Sequence, residues 1–115
     1  MIEPSSALPG REQAIHVAER HVVLGTPFEP FTATARAIAA GSPFADTRVL
    51  GYTGGSAGYL PPPEDYARLD GLSLDEILDQ DRSRWAYGIT TAAVGADGSA
   101  QLIEGSVALL GRLHG

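Results

Sequence analysis

A chain of 115 residues with 43% apolar content is one domain's worth of material, able to bury about two-thirds of its unfolded surface. Net charge −6, a pI near 4.8 and eight scattered arginines without a lysine leave no electrostatic footprint for nucleic acid. The apolar runs are too short for a transmembrane segment and no charged-then-apolar leader opens the chain. The absence of cysteine excludes disulfides and thiolate metal sites and fits a cytoplasmic protein.

Residues 1–11, with Pro4, Ser5, Ser6, Pro9 and Gly10, read as an irregular lead-in to a single α/β domain over 12–115. QAIHVAERHVVLG is too rich in β-branched residues for a helix. It predicts two short strands around Glu19 and Arg20, the second a buried run over 21–25. TPFEPFTATARAIAAGSPF predicts a helix, with Pro30 in its first turn and Phe31, Ala35 and Ile38 along one stripe. Gly41 suits its C′ stop. TRVLGY (47–52) predicts a short buried strand. Strand, helix, strand in that order predicts an α/β unit with parallel strands in a small mixed sheet.

Pro63 can start a short helix through Tyr66 and Leu69, and Ser73 has the chemistry of an N-cap ahead of Asp75 and Glu76. Acidic residues concentrate over 64–81, the composition of a solvated helical surface rather than a metal cluster. YGITTAAVGADGS reads as loop or edge strand. A last helix over 99–113 carries Leu102, Ile103, Val107, Leu109, Leu110 and Leu113 on a broad apolar face that would pack on the sheet.

Candidate chemistry gathers beyond the two central strands, at the edge where open α/β sheets place their ligands. Glu29 follows the first, flanked by Phe28, Pro30 and Phe31, so its carboxylate is partly desolvated unless a cation or donor meets it. An acid interacting with a helix N-terminus is the structural alternative. After the second strand comes GYTGGSAGYLPPPEDY (51–66), where Tyr52 and Tyr59 bracket a backbone almost bare of side chains. Such backbone suits close ligand approach. Neither a phosphate loop nor a Gly-x-Ser-x-Gly elbow is present. His16, His21 and His114 lack zinc-helix spacing and suit surface or turn roles.

VVLGTPFEPF, SPFADTRVLGYTGGSAGYLPPPEDY and SAQLIEGSVALLGRL together resemble the C-terminal part of the catalytic domain of the neutral/alkaline non-lysosomal ceramidase family. The family pattern is a strand ending in Pro-Gly-Glu-x-Phe, a helix, then a strand leading into Gly-Tyr-x-Asn-x-Tyr-x-x-Tyr. The chain departs from it at Phe28, Gly54 and Ser56. The resemblance implies hydrolysis of a lipid amide at a zinc ion, with Glu29 and Tyr59 as metal ligands and Tyr59 also steadying the oxyanion. It places Tyr52, Gly54, Gly55 and Ser56 against substrate. The family's two histidine ligands lie upstream of the matched region, so the resemblance further implies a companion chain carrying them, or a homo-oligomer. A non-catalytic α/β binding or oligomerisation protein derived from the same stock is the alternative.

Overall fold

The computed structural model describes the backbone of residues 2–4 and residues 12–73, 75–76, 89, 92 and 94–115. The architecture is α/β: a four-stranded mixed sheet with helices packed on one face. In chain order the elements are β1 (Ile2–Pro4), β2 (Gln13–Ala18), β3 (His21–Gly25), β4 (Glu29–Pro30), α1 (Thr32–Gly41), β5 (Asp46–Leu50) and β6 (Tyr59–Leu60). A 3₁₀ segment (Pro63–Leu69) and α2 (Ala96–His114) follow among the described residues. The sheet order is β1-β2-β3-β5, and β4 and β6 form a separate two-stranded parallel pair.

The expected hairpin and parallel pair are both present. β2 and β3 are antiparallel around Glu19 and Arg20, and β3 and β5 are parallel with His21 opposite Asp46 and Gly25 opposite Leu50. Glu-Arg does not suit a primed turn. The chain instead takes up a register shift between His16 and Ala18, so that Val17 is an extra, bulged residue before the turn. The lead-in is less irregular than its composition suggests, since Ile2–Pro4 pairs antiparallel with β2.

The core lies between the helices and one sheet face. Ala14, Val22 and Leu24 from the sheet meet Ile38 of α1, Phe44, and Leu109 and Leu110 of α2, all buried. A smaller cluster of Phe28, Leu60 and Leu102 sits beneath the loops that follow β3 and β5. The stripe expected on the last helix is thus used on both clusters, and the helix begins three residues earlier than its apolar pattern indicates, with Gly95 at the N-cap.

Three expectations are corrected. Pro30 lies in β4, not in the first turn of α1, because Glu29 and Pro30 bridge to β6 and Phe31 takes the N-cap position. Gly41 is the last helical residue, not a left-handed stop: the chain leaves through Ser42, whose N–H reaches the Ala39 carbonyl. A Cβ at Gly41 would come within 2.7 Å of Val107 Cγ2, so the glycine serves helix–helix approach. β5 is not buried, since it is the sheet's edge and Arg48 and Leu50 are exposed.

Ser73 caps as expected, its Oγ accepting from the Glu76 N–H at 3.2 Å while the Glu76 carboxylate accepts from the Ser73 N–H at 3.4 Å, a capping box. Of the acidic run, the described Glu64, Asp70, Asp75 and Glu76 are exposed. Of the expected loop or edge strand YGITTAAVGADGS (87–99), positions 87, 88, 90, 91 and 93 lie outside the described residues, and its end is corrected: residues 96–99 form the first turn of α2.

Candidate functional site

The segments leaving β3 and β5 run side by side at the carboxyl edge of the sheet. Backbone hydrogen bonds lace them together: Thr53 N to Thr26 O (2.9 Å), Tyr52 N to Phe28 O (3.1 Å), Ala57 N to Pro27 O (2.8 Å) and Glu29 N to Gly58 O (2.8 Å). So close a run leaves little room for side chains. A Cβ at Gly51 would sit 3.0 Å from the Phe28 carbonyl and 3.1 Å from Pro30 Cδ. Gly54 and Gly58 turn the loop through positive φ, where an L side chain is strained.

This lacing ends in the β4–β6 bridge, where Glu29 is the direct register partner of Tyr59. Directly paired residues in neighbouring strands project to the same side, so the carboxylate and the phenol belong to one surface. The T-shaped contact of Phe31 with Tyr59, centroids 6.3 Å apart, agrees, because Phe31 is two residues beyond Glu29. Tyr52 joins them from the other loop: its hydroxyl donates to Glu29 Oε2 at 2.5 Å. That phenol is the donor that meets the carboxylate flanked by Phe28, Pro30 and Phe31.

Tyr52 is also the single non-glycine residue with positive φ among the described residues, at 53°. A large side chain in the left-handed region costs on the order of 1–3 kcal/mol and persists where the surroundings over-determine it. Here the Phe28 carbonyl and the Glu29 carboxylate hold it at both ends. Gly54, Gly55 and Ser56 lie farther along the same loop and are exposed.

The helices hold β6 in place from behind. Thr34 Oγ1 of α1 donates to the Leu60 carbonyl at 2.8 Å, and Ser99 Oγ of α2 donates to the Pro61 carbonyl at 2.5 Å. Both side chains are buried. Tyr66 adds a third tie, its hydroxyl donating to the Val94 carbonyl at 2.6 Å, and burial raises its pKa above the usual phenol value. Sequence reasoning missed Thr34 and Ser99. Their signal was a hydroxyl recurring in register with the apolar stripe, as Thr34 does four residues before Ile38.

Glu12 was missed too. It is 1% exposed, and its Oε1 accepts from Thr26 Oγ1 at 2.9 Å while Oε2 has no hydrogen-bond partner. Burial raises its pKa above the ordinary carboxylate value, opposed by a backbone hydrogen bond and by the Thr26 hydroxyl.

The histidines stand elsewhere. His21 begins β3 and bonds Asp46 through Nδ1 at 2.8 Å, while His16 and His114 flank the Phe44 ring edge-on. β3 alone separates His21 from the carboxyl edge by about 13 Å of strand. Glu29, Tyr59 and Tyr52 therefore present oxygen donors without imidazole. The described residues include no cluster of three His, Cys, Asp or Glu that could hold a metal ion. Glu29 and Tyr59 amount to two oxygen donors, short of the about three protein ligands that a catalytic zinc takes.

No family model, curated protein or solved structure matches this chain. Among the described residues, no helix is long and apolar enough to cross a membrane.

Proposed function

We propose that this chain supplies the Glu29–Tyr59 half of a zinc-dependent amide hydrolase site of the ceramidase kind, a companion chain supplying the histidines. The observation that carries this reading is the direct pairing of Glu29 with Tyr59 in the β4–β6 bridge. Zinc bound there would supply an activated water and polarise the amide carbonyl. The chain's own contributions are positional. Glu29 offers a carboxylate oriented by the Tyr52 phenol, Tyr59 offers a phenol beside the developing oxyanion, and the bare backbone of Gly54, Gly55 and Ser56 admits the acyl and head groups of a lipid amide.

The test is recovery of the tagged chain with its companion, followed by zinc analysis and an assay on an N-acyl sphingoid substrate. One zinc per complex is expected, lost in Glu29→Gln and in Tyr59→Phe while the complex persists. Zinc retained in both variants removes these residues from the site and ends the reading.

A specific observation also favours the non-catalytic reading as a binding module. The face of the sheet opposite α1 and α2 exposes Ile15 at 41% and Leu50 at 52% around a groove also lined by Gln13, Val23, Gly25 and Thr53. A companion recovered with the chain but carrying neither zinc nor hydrolase activity would select it.

A further inference from the structure

β5 has β3 on one side, and no described strand pairs with its other side. The Asp46 N–H donates to the Arg20 carbonyl and the Thr26 N–H to the Leu50 carbonyl, both at 2.9 Å. Asp46 and Leu50, and Arg48 between them, therefore turn their backbone groups inward. Thr47 and Val49 turn theirs outward, ready to receive another strand. Along this edge Asp46 and Arg48 carry opposite charges two residues apart on the face opposite α1 and α2, their side chains 37% and 73% exposed.

We infer that a second copy of this chain docks on the edge of β5, antiparallel, with the two-fold axis between paired Thr47 residues. Backbone hydrogen bonds form only where outward-turned residues oppose one another, which leaves three central registers. Pairing Thr47 with the partner's Val49 sets Arg48 against the partner's Arg48, like charge on like. Pairing Val49 with the partner's Val49 sets Arg48 against the partner's Leu50. Pairing Thr47 with the partner's Thr47 sets Arg48 against the partner's Asp46, and the symmetry repeats it. These are the non-hydrogen-bonded positions, where Cα atoms approach to about 4.5 Å and opposite charges directly across are favourable. Within each chain Arg48 Nε already holds its own Asp46 at 3.0 Å and His21 holds the same carboxylate. The other guanidinium donors can extend this network across the axis.

Two short edges make a small, transient-class interface. The antiparallel arrangement sends the two carboxyl edges to opposite ends, so the dimer forms independently of the proposed zinc site.

Charges on an edge can also serve to keep strands apart, and mixing charge-swapped chains separates the two roles. In sedimentation equilibrium the full chain should show a reversible dimer. Asp46→Arg and Arg48→Asp should each weaken it by roughly tenfold or more, with two favourable pairs replaced by repulsive ones. An equimolar mixture of the two variants should regain wild-type association, because positions 46 and 48 of each chain then meet opposite charge. Thermal melts check that each variant folds. Thr47→Cys, the sole thiol in its chain, should oxidise to a covalent dimer, since a Cα separation of about 5.5 Å suits a disulfide. Arg48→Cys should not. A wild-type chain that stays monomeric, a mixture no better than the single variants, or cross-linking through Arg48→Cys in place of Thr47→Cys overturns the inference.

Discussion

The two faces of the four-stranded sheet follow one alternation and have opposite fates. On the covered face Ala14, Val22 and Leu24 have no exposure at all, packed beneath α1 and α2. On the other face Ile15, next to Ala14 in sequence, and Leu50 are just as apolar and stand roughly half in water. Alternation assigns a residue to a face, but which face acquires helices depends on where the connections run. Apolar character alone therefore does not identify the core.

The comparison predicts a steep difference in mutational cost. Leu24→Ala should destabilise the chain by about 3 kcal/mol in chemical denaturation, because it removes a fully buried side chain and leaves a cavity. A loss below about 1 kcal/mol would mean that the covered face is loosely packed. Gly51→Ala comes next, at about 2 kcal/mol, since its Cβ would press on the Phe28 carbonyl and Pro30, neither of which is a flexible chain end. Tyr66→Phe should cost about 1 kcal/mol through its lost bond to the Val94 carbonyl, a tie that belongs to the smaller cluster under the loops.

Glu12 is the exception within the buried interior, and its replacement should act in the opposite direction. Burial raises its folded-state pKa, so its contribution to stability is fully present below the ordinary value of 4.5 and is lost as pH rises through the raised folded value. Glu12→Gln keeps an acceptor for Thr26 and removes the charge. Its melting temperature should exceed that of the wild type at neutral pH and converge with it in acid. Asp46, at the surface, has the opposite sign. The Arg48 bond first and His21 second hold its pKa down, so its small contribution is present above 3.8 and fades as pH falls through the lowered folded value. Melts of Glu12→Gln and Asp46→Asn across this range separate the two. Coincident curves for Glu12→Gln and wild type at neutral pH would show that the carboxyl is better solvated than its burial implies.

Local signals carried the fold into the sequence. The hairpin, each strand of the parallel pair taken singly, the cap at Ser73 and the stripe of α2 each depend on residues within a few positions of one another. The β4–β6 bridge does not: it is two residues long on each side, too short for periodicity, and its members are about thirty positions apart. Pro30 consequently resembled a helix start. The left-handed backbone of Tyr52 is set by Phe28 and Glu29, which no local rule connects to it. Glu12 carries no local sign of its burial, because burial depends on what packs above it. The pairing of Glu29 with Tyr59 was suggested by resemblance and residue type, whereas their adjacency is a tertiary fact.

The smallest expected effect falls on the open face. Ile15→Thr keeps a β-branched residue in β2 and exchanges part of a half-exposed apolar surface for a hydroxyl that water can satisfy. The stability of the isolated chain should move by no more than about 0.5 kcal/mol. If denaturation instead shows a loss approaching that of Leu24→Ala, Ile15 is covered in solution and the contrast between the faces collapses. If stability is unchanged but a companion recovered with the wild type is lost, the face is a docking surface whose apolar character serves association rather than folding. An effect within the expected range on both readouts leaves Ile15 as a tolerated exposed residue.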